Sequence, residues 1–511
     1  MTLSMSQPAV ADLVETFSGA APDRVGAEYL RLIEQLWDGG TATELALPAV
    51  PLLVERLATV SDDRKAHLAV VLGLLAGADD PDHTGELTSA VRQGVELYLD
   101  LWIGSANGQP LSLALAYLLS HFPEDRDRIL AVAGDRGLDA YDLSKLDRAL
   151  GQLDLENPVI GRVFPSPEVW ALMDEAERDF DNSWIKAMPT EQIILNWDKD
   201  TSTVRGNLGA AAHWAALNGA PTPVEVGSVP PRDALAPPPE AGVELFAPHA
   251  AAFRCPRCAG DLDFTGDEVR CAGCAATYPI GSGILNLTED AERNAGDFLY
   301  KLAEVPSMGH FYEAYARPNF LRLAGSNWGT AISPADEDAY IAEHVRPVEG
   351  PVLDLACGAG RWTRTLAGAV GAERVIALDM YPPMLTATRR RLPELPAVMA
   401  GARRLPFGDA TLGAVMCWNA LQAFPDDAPE AIKEIGRCLR PGGTFTFLTF
   451  HSSADPVYRH LVACHYFPGH QGGMELFELD DIKAWLAAAG LTIRHESGPG
   501  TFVLVTAERP A

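Results

Sequence analysis

The chain has 511 residues and a formal net charge of −29, and residues 1–245 hold 38 acidic against 17 basic side chains, a net −21 that leaves −8 for the rest. That length calls for about three domains rather than one core. The acidity repels phosphate backbones and argues against nucleic acid as a substrate, and no apolar run, the longest being about Leu68 to Ala78, reaches the length of a membrane span.

The first residues, Met-Thr-Leu-Ser-Met-Ser-Gln, lack the basic start and apolar centre of a secretory signal, so a cytoplasmic location is expected. From residue 1 to about 218 the pattern is helical. Leu68, Val71, Leu72 and Leu75 repeat at helical spacing, as do Leu111, Leu115, Leu118 and Phe122, each set making one apolar face. Breaks fall at Asp38-Gly-Gly40, Ala78-Asp-Asp-Pro81 and Phe122-Pro-Glu-Asp125. His213 and Trp214 read as core residues of the last helix. These paired helices resemble a HEAT-type solenoid, a fold that implies a protein or peptide partner; a domain that only shields the rest or makes a dimer is the alternative.

Residues 219–245 read as a semi-rigid linker, because seven prolines fall between Gly219 and Gly242. Residues 246–290 then carry Cys255-Pro-Arg-Cys258 and, twelve residues on, Cys271-Ala-Gly-Cys274. Thiolates two residues apart on a tight turn both face one ion, and two such turns close a tetrahedron suited to Zn²⁺. With four protein ligands the metal is expected to be structural, and it would supply stability that so small a segment lacks. Cys357, Cys417, Cys438 and Cys464 stand singly in largely apolar surroundings and read as packing residues.

Residues 291–345 carry Gly309-His-Phe-Tyr-Glu-Ala-Tyr-Ala-Arg317 and then a helix from about Ala335 to His344. Residues 346–511 begin with Pro351-Val-Leu-Asp-Leu-Ala-Cys-Gly-Ala-Gly-Arg-Trp-Thr-Arg364, a buried strand, a turn at Gly358 and Gly360, and the start of a helix. Such a turn lets a ligand approach the backbone and points helix N–H groups at it. Val375-Ile-Ala-Leu-Asp379 is a second buried strand, ending in a carboxylate where a ribose diol would lie. Thr363 stands where a dinucleotide fingerprint has its third glycine, which disfavours a pyrophosphate. Leu405-Pro-Phe407, a strand at Ala414-Val-Met-Cys417, a helix from Ile432 to Leu439 and Leu439-Arg-Pro-Gly-Gly443 before Thr444 to Phe450 follow. Strands over Leu491 to Glu496 and Thr501 to Thr506 read as a closing antiparallel hairpin.

This ordered set resembles the class I S-adenosylmethionine-dependent methyltransferases over residues 346–511, and the ribbon with its Tyr278-Pro and Gly283-Ile ending resembles the small zinc-ribbon activator of tRNA methyltransferases. The fold expected is multidomain: an all-α N-terminal domain, a zinc ribbon, and a Rossmann-like α/β methyltransferase domain with a C-terminal antiparallel hairpin. The resemblance implies S-adenosylmethionine as cofactor, with Asp354, Ala356, Gly358 and Gly360 lining it, Asp379 on the ribose, Met380 at the adenine, and Ala402 and Asn419 completing the site. It also implies that residues 291–345 fold over the cofactor as a helical lid, with His310, Tyr312, Tyr315 and Arg317 in reach of the methionine carboxylate or the acceptor, or serving packing alone. Where the family has an Asp before Leu-Pro-Phe this chain has Gly401, and where it starts the fourth strand with Phe-Asp this chain has Leu412-Gly413.

Methyl transfer needs an aligned acceptor, and a hydroxyl or acidic carbon acceptor also needs a base, a task that suits His. The insert from His451 to Gly473 carries His451, His460, His465 and His470 at the carboxyl end of a strand, where substrates bind. His451, His465 and His310 are the candidate bases, and Asn419 with Gln422 is expected to face the same crevice. The reading is a methyltransferase acting on a small molecule, plausibly aromatic or a secondary metabolite. An rRNA or tRNA base methyltransferase and a non-catalytic peptide-binding adaptor are the alternatives.

Overall fold

A computed structural model describes residues 3–79, 85–158, 174–224, 237–266, 268–288, 307, 312–466 and 473–511. The N-terminal region is helical from Leu3–Ser18 to the long helix Thr190–Asn218, broken by a two-residue ladder in which β1 (Trp37–Asp38) pairs β2 (Thr41–Ala42) across Gly39 and Gly40. Its centre is Asp62–Ala76, in which every residue from Ala66 to Ala76 is buried. A helix apolar all round belongs in a core. Gly73 lets Pro110–Leu119 pack close, since a Cβ there would lie 2.5 Å from the Tyr117 ring. Local signals fix the ends: Pro110 occupies the first turn of its helix, and Asp174 and Glu177 form a reciprocal cap on Glu175–Lys186. Among the described residues no helix is long and apolar enough to cross a membrane.

The cysteine-rich segment is a three-stranded antiparallel sheet of β3 (Leu262–Asp263), β4 (Val269–Cys271) and β5 (Thr277–Tyr278). The chain then makes a short hairpin of β6 (Ile280–Gly281) and β7 (Ile284–Asn286).

Five more strands are buried almost throughout: β8 (Val352–Leu355), β9 (Val375–Asp379), β10 (Ala397–Met399), β11 (Leu412–Trp418) and β12 (Leu439–Phe450). Continuous apolar runs of this kind suit a parallel sheet covered on both faces. With β13 (Thr492–Ser497) and β14 (Phe502–Glu508) they form a nine-stranded sheet ordered β13-β14-β12-β11-β8-β9-β10-β7-β6. The run from β12 to β7 is parallel, and β14, β13 and β6 are antiparallel to their neighbours. From β8 the chain first adds β9 and β10 on one side, then β11 and β12 on the other. The crevice at the β8/β11 reversal is where such sheets bind ligands.

The cysteine-rich segment is built into this sheet. β7 pairs in register with β10, Leu285 opposite Val398, so part of the sequence read as ribbon supplies two strands of the larger sheet. Phe253 stacks 5.0 Å from Phe407 of the Leu-Pro-Phe turn, and the amides of Arg254 and Gly408 donate to Pro406 and Ala252. Gly413, where Asp was expected, has no room for a side chain: a Cβ would lie 2.4 Å from the Val348 carbonyl.

The histidine-bearing insert after β12 lies elsewhere than expected. Its helix Pro456–Ala463 packs against Thr190–Asn218 of the helical region, not over the crevice. Gly206 permits the contact, since a Cβ would lie 2.6 Å from the Leu461 carbonyl. Asp455 caps the insert helix through the amides of Val457 and Tyr458 and also accepts from His213 Nε2 at 2.7 Å, while Tyr29 hydrogen-bonds His213 Nδ1 at 2.8 Å. His460 meets Trp37 edge to face. His213 is thus a core residue, as read, and it joins the helical region to the insert helix.

Candidate functional site

The turn after β8 bends backbone that side chains disfavour. Ala356, Gly358 and Gly360 all have positive φ, at 56°, 55° and 81°. For alanine that conformation costs about 1–2 kcal/mol, and such strain collects at functional sites. A Cβ on Gly358 would meet nothing within 4 Å, and one on Gly360 would lie 2.8 Å from Thr388 Oγ1. Gly358 therefore borders open space, while Gly360 lets Arg361–Val370 sit tightly on Pro382–Arg391.

Two carboxylates hold this turn. Asp354, at 1% exposure, accepts from Thr363 Oγ1 at 2.6 Å. Burial pushes its carboxyl up to about 7, against the pull of the Thr363 hydroxyl and with a further rise from the Asp379 charge. Asp379 ends β9 and accepts from the amides of Gly358 and Tyr381, both at 2.9 Å. Burial raises its pKa too, opposed by the Tyr381, Gly358 and Met380 amides.

Above the turn lies a mostly apolar cavity. Its walls include Ala356, Gly358, Asp379, Met380, Ala402 and Asn419, six of the eight residues expected at the cofactor. Asp354 and Gly360 stand directly behind the wall. Aromatic side chains complete it: Trp362 from the first turn of Arg361–Val370, Trp418 at the end of β11, and Tyr312, Tyr381 and Phe424.

One edge is built by a buried network from four elements. Arg317, at the start of the helix Arg317–Gly325, lies with its guanidinium carbon 3.4 Å from the Trp362 ring centre and donates to Glu337 Oε2 at 2.7 Å. Trp418 Nε1 donates to the same oxygen at 2.6 Å. Arg317 Nη1 makes no hydrogen bond among the described residues, and Arg317 lines the cavity. Burial lowers the Arg317 pKa while Glu337 and Tyr312 oppose the shift. Tyr312 shifts up through burial, with Arg317 lowering and Asp379 raising it. Arg361 is engaged by Asp338 through two 2.8 Å bonds.

The candidate bases do not gather here. His451 is absent from the cavity wall among the described residues, and its ring nitrogens face the carbonyls of Ser452 at 2.8 Å and Gly500 at 3.0 Å. His465 likewise does not line it and sits 6.0 Å from the Phe320 ring. His310 and His470 lie outside the described residues. Gln422 stands behind Asn419, donating to its Oδ1 at 3.1 Å while accepting from Thr449 at 2.9 Å. Asn419 is held at φ 57°, a second strained position at the wall.

The cysteines form the other candidate site. The sulfurs of Cys255, Cys258, Cys271 and Cys274 lie within 4.8 Å of one another, the pairs 255/274 and 258/271 at 3.7 and 3.4 Å. Both turns have the same shape: Ala259 and Ala275 have φ 59°, and their amides return to the carbonyls of Cys255 and Cys271. Tyr278 Oη lies 3.0 Å from the Cys255 sulfur.

Among known proteins the chain is similar to methyltransferases. Residues 352–443 match the family model described as a methyltransferase domain. An uncharacterized chloroplastic methyltransferase of Arabidopsis thaliana is 27% identical over 271 residues, 48% of this chain and 72% of that protein. A demethylmenaquinone methyltransferase of Lysinibacillus sphaericus is 33% identical over 118 residues, 22% of this chain and half of that one. Among solved structures, a complex between the Haloferax volcanii Trm112 methyltransferase activator and a methyltransferase overlaps 40% of this chain and 98% of the matched chain, at 20% identity and a TM-score of 0.32. Residues 352–443 carry a methyltransferase domain, and the chain is an enzyme of methyl transfer.

Proposed function

We propose that S-adenosylmethionine lies in the cavity between the glycine turn and the Arg317 edge, and that the acceptor is a small molecule bound against Trp418, Phe424 and Tyr312. The observation that carries this reading is Asp379, fixed by two amides at the end of β9 and facing the cavity. A carboxylate so held accepts from a ribose diol without reorganising. The residues fit the cofactor elsewhere as well. The Gly358 position leaves room for it, Met380 and Ala402 offer apolar contact to a base, and Arg317 Nη1 is placed for a carboxylate.

When bound, the cofactor supplies an activated methyl group. The protein's part is then alignment, worth roughly 7–11 kcal/mol when reacting atoms are well oriented, and exclusion of water by the aromatic wall. The acidic surface and apolar cavity support a small molecule over nucleic acid as acceptor. The likeness to a demethylmenaquinone methyltransferase is in keeping with an aromatic one.

For the cysteine cluster we propose one structural Zn²⁺. Zn–S bonds of about 2.3 Å put tetrahedral sulfurs about 3.8 Å apart, close to the separations here. The ion would fix the turns that hold Phe253 against Phe407.

Isothermal titration with S-adenosylhomocysteine is expected to show one site per chain, and Asp379→Ala to weaken it about 10- to 100-fold, the value of a charged hydrogen bond or two. Absence of binding at roughly millimolar ligand would sink the cofactor reading. The buried Asp354 gives a pH signature. Its folded pKa is raised above the unfolded value near ~4, so the stability it contributes is complete below ~4 and is lost as pH rises through about 7. Thermal melts of the ligand-free chain should show Asp354→Asn gaining stability relative to wild type between pH 5 and pH 8 (); a constant difference would contradict this. Elemental analysis is expected to find one zinc per chain, lost together with the near-ultraviolet signal of the ribbon in Cys255→Ser. A metal-free native chain with an unchanged melting temperature would refute the zinc assignment.

A further inference from the structure

The helix Arg317–Gly325 carries Arg317 at one end, and the turn Tyr312–Ala316 runs into it, so this helix is the lid of the cavity. Its other end is gripped from outside the methyltransferase sheet. Tyr458, on the insert helix and 4% exposed, donates its hydroxyl to the carbonyls of Arg322 at 3.0 Å and Leu323, and accepts from the Ser326 amide at 3.1 Å. Carbonyls are the groups a helix C-terminus leaves unpaired, and here Ser326 turns left-handed at φ 52° without a glycine.

Tyr458 is in turn placed by the helical region. The insert helix has its N-terminal cap, Asp455, tied to His213. Its middle is seated on Gly206 and Gly209, where any Cβ would collide with Leu461. Just beyond its C-terminus, the Tyr466 amide donates to Thr203 Oγ1 at 2.8 Å, and Lys199 lies 4.5 Å over the Tyr466 ring. The lid helix also receives a direct tie: Arg322 donates to the carbonyls of Thr222 and, at 2.9 Å, Pro223, in the chain that leaves Thr190–Asn218. The Thr222 amide donates to Trp328 at 2.9 Å.

We infer that the helical region is the platform that positions the cavity lid, and that Tyr458 is the positioning residue through which it acts. Thr190–Asn218 holds the insert helix, Tyr458 holds the C-terminal end of the lid helix, and the lid presents Arg317 and Tyr312 to the cavity. The inference rests on the cofactor reading only for what the lid encloses, and the hydrogen bonds that make the linkage stand independently of it. It gives the helical region a role in retaining ligand, beyond shielding or dimer formation.

The test compares the full-length wild type with Tyr458→Phe, which keeps the ring and removes the hydroxyl, and Gly206→Val, which wedges the two domains apart from the opposite side. Hydrogen exchange of the ligand-free chains is expected to speed up about tenfold over residues 317–326, with β8 and β9 unchanged. Affinity for S-adenosylhomocysteine should fall about 3- to 10-fold, in line with the loss of one buried hydrogen bond. Exchange over 317–326 equal to wild type, or accelerated equally in β8 and β9, overturns the inference, as does an unaltered affinity where wild type binds. If wild type itself fails to bind, the cofactor reading falls, and the exchange data still decide the linkage. If Gly206→Val does not fold, Tyr458→Phe alone carries the decision.

Discussion

Two carboxylates buried at the ends of neighbouring parallel strands set the terms for the rest of this molecule. Asp354 and Asp379 leave water, and each unit of pKa displacement represents about 1.4 kcal/mol of imbalance between charged and neutral forms. Backbone and hydroxyl donors must therefore converge on them: Thr363 on one, the Gly358 and Tyr381 amides on the other. Bringing the Gly358 amide to Asp379 requires the positive-φ run from Ala356 to Gly360, and that run opens the cavity. A native state that tolerates strained backbone and two buried acids in one place has given up stability there, as binding sites commonly do.

What could be read from the chain beforehand divides along physical lines. The glycine turn, Asp379 and the four cysteines announce themselves because their chemistry is local: left-handed turns, a carboxylate closing an apolar run, thiols two residues apart. The apolar strands are legible for the same reason, since parallel strands buried on both faces are apolar without interruption. Arg317 and Tyr312 can be picked out in the segment ahead of β8, but the network that joins Arg317 to Glu337, Trp362 and Trp418 cannot, because its members come from separate elements and meet only in the folded sheet. Trp362 left one hint, an aromatic in the first helical turn after the glycines. The histidine-bearing insert misleads in the opposite sense. Its position after β12 points to substrate, but Gly206 and Gly209 on a distant helix supply a better seat for it, and nothing near residue 456 reports that.

The same reasoning explains why the three units do not behave as beads on a string. The cysteine-rich segment extends one side of the sheet with β7 and β6, so the outermost strand there is only Ile280–Gly281, a short edge that discourages association. At the other face, the helical region meets the insert helix and the helix Arg317–Gly325, which borders the cavity. The strongly acidic half of the chain is thus joined to the catalytic half by a shared apolar core and by a few buried polar contacts, His213 with Asp455 among them.

The most direct measurement is a crystal structure of the full chain with S-adenosylhomocysteine. The account predicts the ribose hydroxyls on Asp379, the base beside Met380 and Ala402, and the amino-acid carboxylate within reach of Arg317. Ligand density away from the Gly358 turn, or a ribose with no contact to Asp379, would contradict it.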